Sequence, residues 1–177
     1  MKISKLLIAV VTGCTLAFSV TAMAATHAPT TKAATIQSSI TAKQAAIDLA
    51  KAEVPAGSNF FGAKSKGMGE YKVLFQDPAT LDYYEVDIEN GRIDEIEIKG
   101  SDFPGSVTIN KTPEDVKAKI LETYPDATNI VVTKEDDPKA KNLMIYKAKF
   151  TTPKFTGEAQ LNPATCLYGH RELKYKK

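Results

Sequence analysis

The scarcest reactive side chains are two histidines and two cysteines. Cys166 and His170 are four residues apart in a stretch of strand character, so they lie on one face and could in principle form a nucleophile–base pair or share a metal. Four residues along a strand span roughly 13 Å, however, and the sequence supplies no third Cys or His ligand nearby. We therefore predict that Cys166 is a small buried side chain.

Carboxylates are the next candidates for chemistry. Glycoside hydrolysis needs two of them about 5–10 Å apart across a cleft, and Asp94, Glu95 and Glu97 offer such groups. Strand periodicity puts Glu95 and Glu97 on one face and Asp94 on the other, and a chain without Trp has no obvious platform for stacking a sugar. This pattern favours a solvated sheet face over a catalytic pair.

The other catalytic motifs are incomplete. A serine triad needs a positioned His, whereas Ser101 and Ser106 stand outside any G-x-S-x-G context. The Gly62-x4-Gly67 spacing is not followed by Lys-Ser/Thr, so it does not form a phosphate loop. The sequence predicts a protein that is not an enzyme, with no catalytic residues, no metal site and no cofactor.

Composition limits the class of protein further. The chain has 177 residues, of which 43% are hydrophobic and 25% charged, which is ordinary for a folded domain and excludes disorder of the whole chain. Its 23 Lys+Arg against 21 Asp+Glu give a net charge of only +2. Nucleic-acid-binding proteins carry a strongly basic footprint, so we expect no nucleic-acid partner.

The N-terminus predicts export. Lys2 and Lys5 precede an uncharged run over 6–24 that ends on Ala-Met-Ala, as in a cleaved signal peptide covering 1–24. The mature protein would then be periplasmic or extracellular, without a stable membrane span. Two alternatives remain: the run could be retained as an anchor, or Cys14, which ends a lipobox-like Val-Thr-Gly-Cys, could carry a lipid. After cleavage only Cys166 remains, so no intramolecular disulfide forms.

The mature chain reads as a flexible leader at 25–39 followed by two related units at 40–102 and 103–177. Thr41 and Thr112 are predicted helix N-caps, and each helix is followed by stretches of strand character. Asn90-Gly91 predicts a tight hairpin turn. We expect an α+β fold of two tandem units, each an α-helix packed on a small antiparallel β-sheet. The units carry net charges of −5 and +4, which favours docking between them.

The helix followed by the hairpin Tyr84-Glu-Val-Asp-Ile-Glu-Asn-Gly-Arg-Ile93 resembles the PepSY domain, in which Tyr84, Val86, Asp87, Gly91 and Ile93 occupy typical positions. The second copy departs from this pattern because its hairpin, Gln160 to Leu167, lacks the turn glycine. The resemblance implies a non-catalytic domain that binds, and in some cases inhibits, secreted peptidases. The tandem layout is also similar to that of proteinaceous β-lactamase inhibitors, an analogy at the level of fold.

Alternation along the strands separates a buried face from an outer face. The buried set is predicted to be Tyr84, Val86, Ile88, Ile96 and Ile98, while Leu74 and Ile93 join the outer face. The predicted contact residues for a protein partner are Tyr83, Glu85, Asp87, Glu95, Glu97, Lys147 and Lys149. We expect the partner to be an extracytoplasmic peptidase. The competing interpretations are a structural or sensory envelope domain that binds a small ligand or a neighbouring envelope protein, an ordinary solvated sheet face, and two outer faces that pack on each other.

Overall fold

A computed structural model describes the backbone of residues 31–177 and the side chains of residues 41–177. The first part of the chain forms α1 (Thr31–Lys51), β1 (Asn59–Gly67), β2 (Glu70–Gln76), β3 (Tyr83–Glu89) and β4 (Arg92–Lys99). The second part forms α2 (Pro113–Thr123), β5 (Thr128–Asp136), β6 (Met144–Thr151), β7 (Phe155–Leu161) and β8 (Tyr168–Tyr175). The predicted signal peptide at 1–24, with Cys14, and His27 in the leader lie outside the described residues.

All eight strands belong to one antiparallel sheet, in the order β1-β2-β3-β4-β8-β7-β6-β5. The prediction of two units that each carry their own small sheet is therefore wrong. Backbone hydrogen bonds run without interruption from β4 into β8, where Glu95 pairs with Lys174 and Lys99 pairs with His170. Each half contributes a helix and four strands, but pairing β4 with β8 satisfies two sheet edges that separate units would leave exposed.

Opposite charges also join the two halves through side chains. Among the described residues, four Lys or Arg salt bridges and the contact between His170 and Glu97 connect residues before position 103 with residues after it, and in every one the acid comes from the first half. The most buried of them joins Arg171 to Asp82 over 2.6 Å, with side chains only 9% and 14% exposed. The Arg171 guanidinium also lies 4.6 Å from the centre of the Tyr168 ring. The opposite net charges of the halves thus act inside one molecule.

Both helices cover the same face of the sheet. A single hydrophobic cluster contains Ala46 and Ala50 of α1 together with Val116 and Ile120 of α2. The predicted buried set from Tyr84 to Ile98 is confirmed, since each of its members lies in this cluster. In the second half the Phe150 ring lies over Gly157 of the neighbouring strand, where a Cβ atom would come within 2.3 Å of the ring. Glycine at that position lets an aromatic ring fill the core directly above the backbone.

The local helix and turn signals have mixed outcomes. Thr112 is the N-cap of α2: its hydroxyl accepts from the Asp115 amide, and the Asp115 carboxylate accepts from the Thr112 amide. Asn90 and Gly91 both have positive φ, as the predicted hairpin turn requires. By contrast, α1 begins at Thr31, so Thr41 lies inside the helix, which includes part of the segment assigned to a leader.

Strand β1 was not predicted. Its pairing with β2 is irregular on both sides of a short regular run, at Phe60/Gly62 and at Ser65/Gly67, and almost all of its side chains are exposed. The segment Asn59 to Gly67 also shows no alternation of apolar and polar residues. It forms a strand because β2 offers an open edge to pair with, and its own residues give little indication that it would do so.

One end of the sheet is closed by three turns of the same kind. Asp77, Asp137 and Asn162 each precede a proline, and each accepts the backbone N–H two residues later, at 2.8 to 2.9 Å. These turns connect β2 to β3, β5 to β6 and β7 to β8. Since all neighbouring strands are antiparallel, the three turns lie at the same end of the sheet, where the connection from β4 to α2 also begins.

This end, which we call the apolar end, carries most of the exposed large hydrophobic side chains. Of the eleven such side chains among the described residues, eight lie there, with 42% to 73% of their surface exposed. They are Phe60, Phe61, Leu81, Tyr83, Phe103, Val107, Ile109 and Leu167. The opposite end, the polar end, is formed by the turns at 67–70, 89–92 and 151–155 and by the C-terminal Lys176 and Lys177. Among the helices of the described residues, none has an apolar stretch long enough to span a membrane.

Candidate functional site

The face of the sheet opposite the helices, which we call the open face, holds all seven predicted contact residues. Tyr83, Glu85 and Asp87 alternate with buried residues on β3, and Glu95 and Glu97 do so on β4. Lys147 and Lys149 occupy the same face of β6, because the register leads from Glu97 through β8 and β7 to Lys149. The outer faces of the two halves are therefore one continuous surface, so they do not pack on each other.

A row of four glutamates crosses the centre of the open face, and we call it the glutamate row. Glu85 of β3 lies opposite Glu97 of β4, Glu97 lies opposite Glu172 of β8, and Glu172 lies opposite Glu158 of β7. Neighbouring strands are about 4.8 Å apart, and like charges placed directly opposite destabilise a sheet. The row therefore requires cations nearby.

Basic side chains on both sides of the glutamate row supply this compensation. Lys72 Nζ lies 2.6 Å from Glu85, and Lys99 pairs with the other oxygen of the same carboxylate. His170 Nε2 lies 3.0 Å from Glu97. The hydrogen bonds from Lys72 and Lys99 hold the pKa of Glu85 below its usual value, and the bond to Glu85 raises the pKa of Lys72. This acid is therefore firmly ionised at neutral pH.

The second half of the open face uses the same device. Lys147 Nζ lies 2.6 Å from Glu158, while Lys149 approaches the second oxygen at 3.6 Å. The hydrogen bond to Glu158 raises the pKa of Lys147. Lys149 is two-thirds exposed and is the freer of the two cations. The predicted cationic character of this part of the face thus consists of one tightly paired lysine and one that remains largely in solvent.

Glu95 differs from the other acids of the face. Partial burial, followed by the nearby Glu172 carboxylate, raises the pKa of Glu95 above its usual value. The hydrogen bond from Lys174 has the opposite effect on Glu172, whose pKa is lowered. Lys174 is bonded to Glu172, and no salt bridge to Glu95 occurs among the described residues.

An irregularity in the pairing of β3 with β4 changes the face on which Ile93 lies. A register shift between β3 and β4 pairs Asp87 with Glu95 but Ile88 with Ile93. Ile93 therefore packs against the core, and its assignment to the outer face is wrong.

Cys166 is buried, as expected, and burial raises the pKa of its thiol. It belongs to the β7–β8 turn, whereas His170 contacts Glu97 on the open face.

Sequence reasoning missed half of the glutamate row. Glu158 and Glu172 lie more than 60 positions beyond Glu97, and only the β4–β8 pairing brings them beside it. The available signal was the alternation in Glu158-Ala-Gln-Leu161 and in His170-Arg-Glu-Leu-Lys174. That alternation assigns a face to each residue, but it does not tell which strand is the neighbour.

Clefts lie at the polar end and on the open face, where one of 280 Å³ is lined by Lys149, Glu158, Glu172 and Lys174. The largest, of 570 Å³, lies between α1, the Asn90 turn and the C-terminal Lys177, and one of 440 Å³ lies between α1 and the β2–β3 strands. No group of three or more His, Cys, Asp or Glu side chains suited to a metal occurs within the described residues.

Neither a family model, nor a curated protein, nor a solved structure matches this chain.

Proposed function

We propose that this protein is an exported, non-catalytic, PepSY-like binding module whose open face docks on a protein partner and modulates it, the partner being an extracytoplasmic peptidase. The observation that carries the proposal is the glutamate row, in which side chains from four strands present acids at regular spacing between two sets of bases. Export and the peptidase partner rest on the sequence pattern and on the PepSY resemblance.

The open face is suited to binding because it is held in place before a partner arrives. Its charged side chains project from a rigid sheet and are fixed by salt bridges, so little conformational entropy is lost on docking. A partner that presents Lys or Arg at about the strand spacing of 4.8 Å matches the glutamate row. Tyr83 adds a half-exposed aromatic side chain at the rim of the face.

Charge replacement on the open face tests this proposal. The variant Glu95→Gln/Glu97→Gln removes two acids without adding a cation, so it should fold normally while losing at least about tenfold in affinity for the peptidase partner, in line with charged interface pairs. The measurements are inhibition of the secreted peptidases of the same source and complex formation on gel filtration. Glu122→Gln, on α2 and away from the open face, is the matched control.

Unchanged peptidase activity at micromolar excess, together with the absence of a complex, would contradict the peptidase partner. A structural or sensory envelope domain is the second candidate, and the continuous sheet that joins both halves favours it because such a sheet is a rigid connector. In that case the double variant would keep its envelope partners in a pull-down and would leave every peptidase unaffected.

A further inference from the structure

We propose that the protonation of His170 controls whether the glutamate row accepts a cationic group of a partner at Glu97. The proposal rests on the docking role proposed for the open face, and it adds to that role a dependence of affinity on pH. His170 lies on β8 at the centre of this face, and its Nε2 atom is 3.0 Å from Glu97 Oε1. It is the only histidine among the described residues.

Glu97 differs from the other three members of the glutamate row in the base that lies closest to it. For Glu85, Glu158 and Glu172 that base is a lysine, whose Nζ is no more than 2.6 Å from the carboxylate. For Glu97 it is His170. A lysine stays charged through the neutral range, whereas an imidazole is the side chain that changes charge there. The row therefore contains one acid whose compensation depends on pH.

The second oxygen of Glu97 is open to a new partner. Lys99 Nζ lies 3.6 Å from Glu97 Oε2, which is too far for a hydrogen bond, and it is hydrogen-bonded to Glu85 instead. About a third of the Glu97 side chain is exposed, at 32%. A lysine or arginine of a partner can therefore approach Oε2 without displacing a lysine of this chain.

The groups that face His170 come from β4, β7 and β8 itself. The residues directly opposite it are Lys99 on β4 and the uncharged Gln160 on β7. The charged side chains around the ring are Glu97, Lys99, Glu158 and Glu172. All of them except Glu97 are closely paired with another group, through the contacts Lys99 to Glu85, Lys147 to Glu158 and Lys174 to Glu172. A charge gained by the imidazole therefore acts mainly on Glu97.

Protonation of His170 places a positive charge beside the position that a partner's cation would occupy. The imidazolium compensates the Glu97 carboxylate as the lysines compensate the other three acids, and it repels a second cation nearby. A neutral imidazole can still donate its Nε2 hydrogen to Oε1, so the carboxylate stays in place and keeps its full charge. We therefore expect a basic partner to bind more tightly when His170 is neutral.

Two substitutions hold position 170 in a single charge state, and hexalysine serves as the probe. His170→Gln keeps a hydrogen-bond donor toward Glu97 and gains no charge in acid, whereas His170→Lys is charged throughout. Binding of fluorescein-labelled hexalysine to the full-length proteins is followed by fluorescence anisotropy at constant ionic strength. The affinity of the wild type should fall about three- to fivefold from about pH 7.5 to about pH 5.5, the effect of one exposed ion pair.

This fall should be missing from both variants, with His170→Gln the tighter binder and His170→Lys the weaker one at either pH. A change due to other carboxylates, such as Glu95, is common to all three proteins and cancels in the comparison. Glu97→Gln should also remove the fall, whereas Glu122→Gln, on α2, should retain it. Far-UV circular dichroism checks that each variant is folded, and the wild type, His170→Gln and Glu97→Gln are sufficient if His170→Lys is not.

An equal fall in the wild type and His170→Gln would overturn the proposal. Equal affinities of folded His170→Gln and His170→Lys, an unchanged fall in Glu97→Gln, or no binding of hexalysine to the wild type near neutral pH would each do the same. None of these measurements uses a peptidase. A failure of the peptidase proposal, seen as secreted peptidases that do not respond to the protein, is therefore distinguishable from a failure of the control by His170.

Discussion

The two ends of the sheet are built from the same strands but differ in which residues occupy their turns and in which side chains they expose. At the polar end, Asn90 and Gly91 occupy left-handed conformations, and Lys177 reaches Glu89 and Asp94 in solvent. At the apolar end the left-handed positions hold Leu81 and Cys166 as well as Asn142, and the ion pair between Arg171 and Asp82 is buried. Eight large hydrophobic side chains are exposed at the apolar end, where one ion pair is buried, whereas at the polar end Met68 is exposed and the ion pairs of Lys177 lie in solvent. An end that departs from ordinary turn chemistry in this way is the better candidate for an interaction site.

The largest expected difference between the ends concerns their ion pairs. Arg171→Met leaves the Asp82 carboxylate buried without a counter-ion, and we expect a loss of about 3 kcal/mol in the free energy of unfolding. Lys177→Ala breaks an exposed pair, so the urea midpoint should not change measurably. Chemical denaturation of both variants checks this. The double replacement Asp82→Leu/Arg171→Met should recover much of the stability, and equal effects of Arg171→Met and Lys177→Ala would contradict the comparison.

Substitutions at the left-handed positions should change the free energy of unfolding by less, and with opposite sign at the two ends. Leu81→Asn places a residue that tolerates positive φ where leucine does not, and it should raise the free energy of unfolding by about 0.5–1 kcal/mol. Asn90→Leu should lower it by about 1 kcal/mol for the same reason. Thermal unfolding followed by circular dichroism compares the two. If Leu81→Asn proved destabilising, the Leu81 side chain would be making a stabilising contact, and the comparison of the ends would fail at that point.

Effects of similar or smaller size are expected on the open face, between the two ends, where they depend on pH. Because the pKa of Glu85 is lowered in the folded state, its ionised form contributes stability above the unfolded pKa, and this contribution is lost as pH falls through the folded pKa. Glu85→Gln should therefore cost about 1 kcal/mol near neutral pH, a value kept low by the exposure of Lys99, and the difference should shrink in acid.

Glu95 should respond in the opposite direction. Its raised pKa means that protonation is easier in the folded state, so stability on this account is highest at low pH and is lost as pH rises through the folded pKa. Glu95→Gln should then stabilise by roughly 0.5 kcal/mol at neutral pH. Urea denaturation at several pH values separates the two residues, and curves of the same sign for both would contradict the assignment.

Local features were predictable where a single residue type is required by the backbone or by a cap. Thr112 with Pro113 marks the start of α2, and Asn90-Gly91 marks the hairpin, because few other residues satisfy those geometries. The outer face of β3 and β6 also followed from alternation, because the period of a strand is two residues. Ile93 shows where this reasoning ends, since one extra residue in β4 shifted the register and turned its side chain toward the core.

By itself the sequence determined which residues alternate, which turns are tight and that the two halves carry opposite charge. Only the tertiary structure decided that β4 pairs with β8, which merges the halves, completes the glutamate row and buries Arg171 against Asp82. It also gathered the exposed hydrophobic side chains of four distant segments at one end. The physical reason is that the pattern along a strand fixes its two faces, whereas the choice of neighbour depends on which edges remain unpaired once the whole chain has folded.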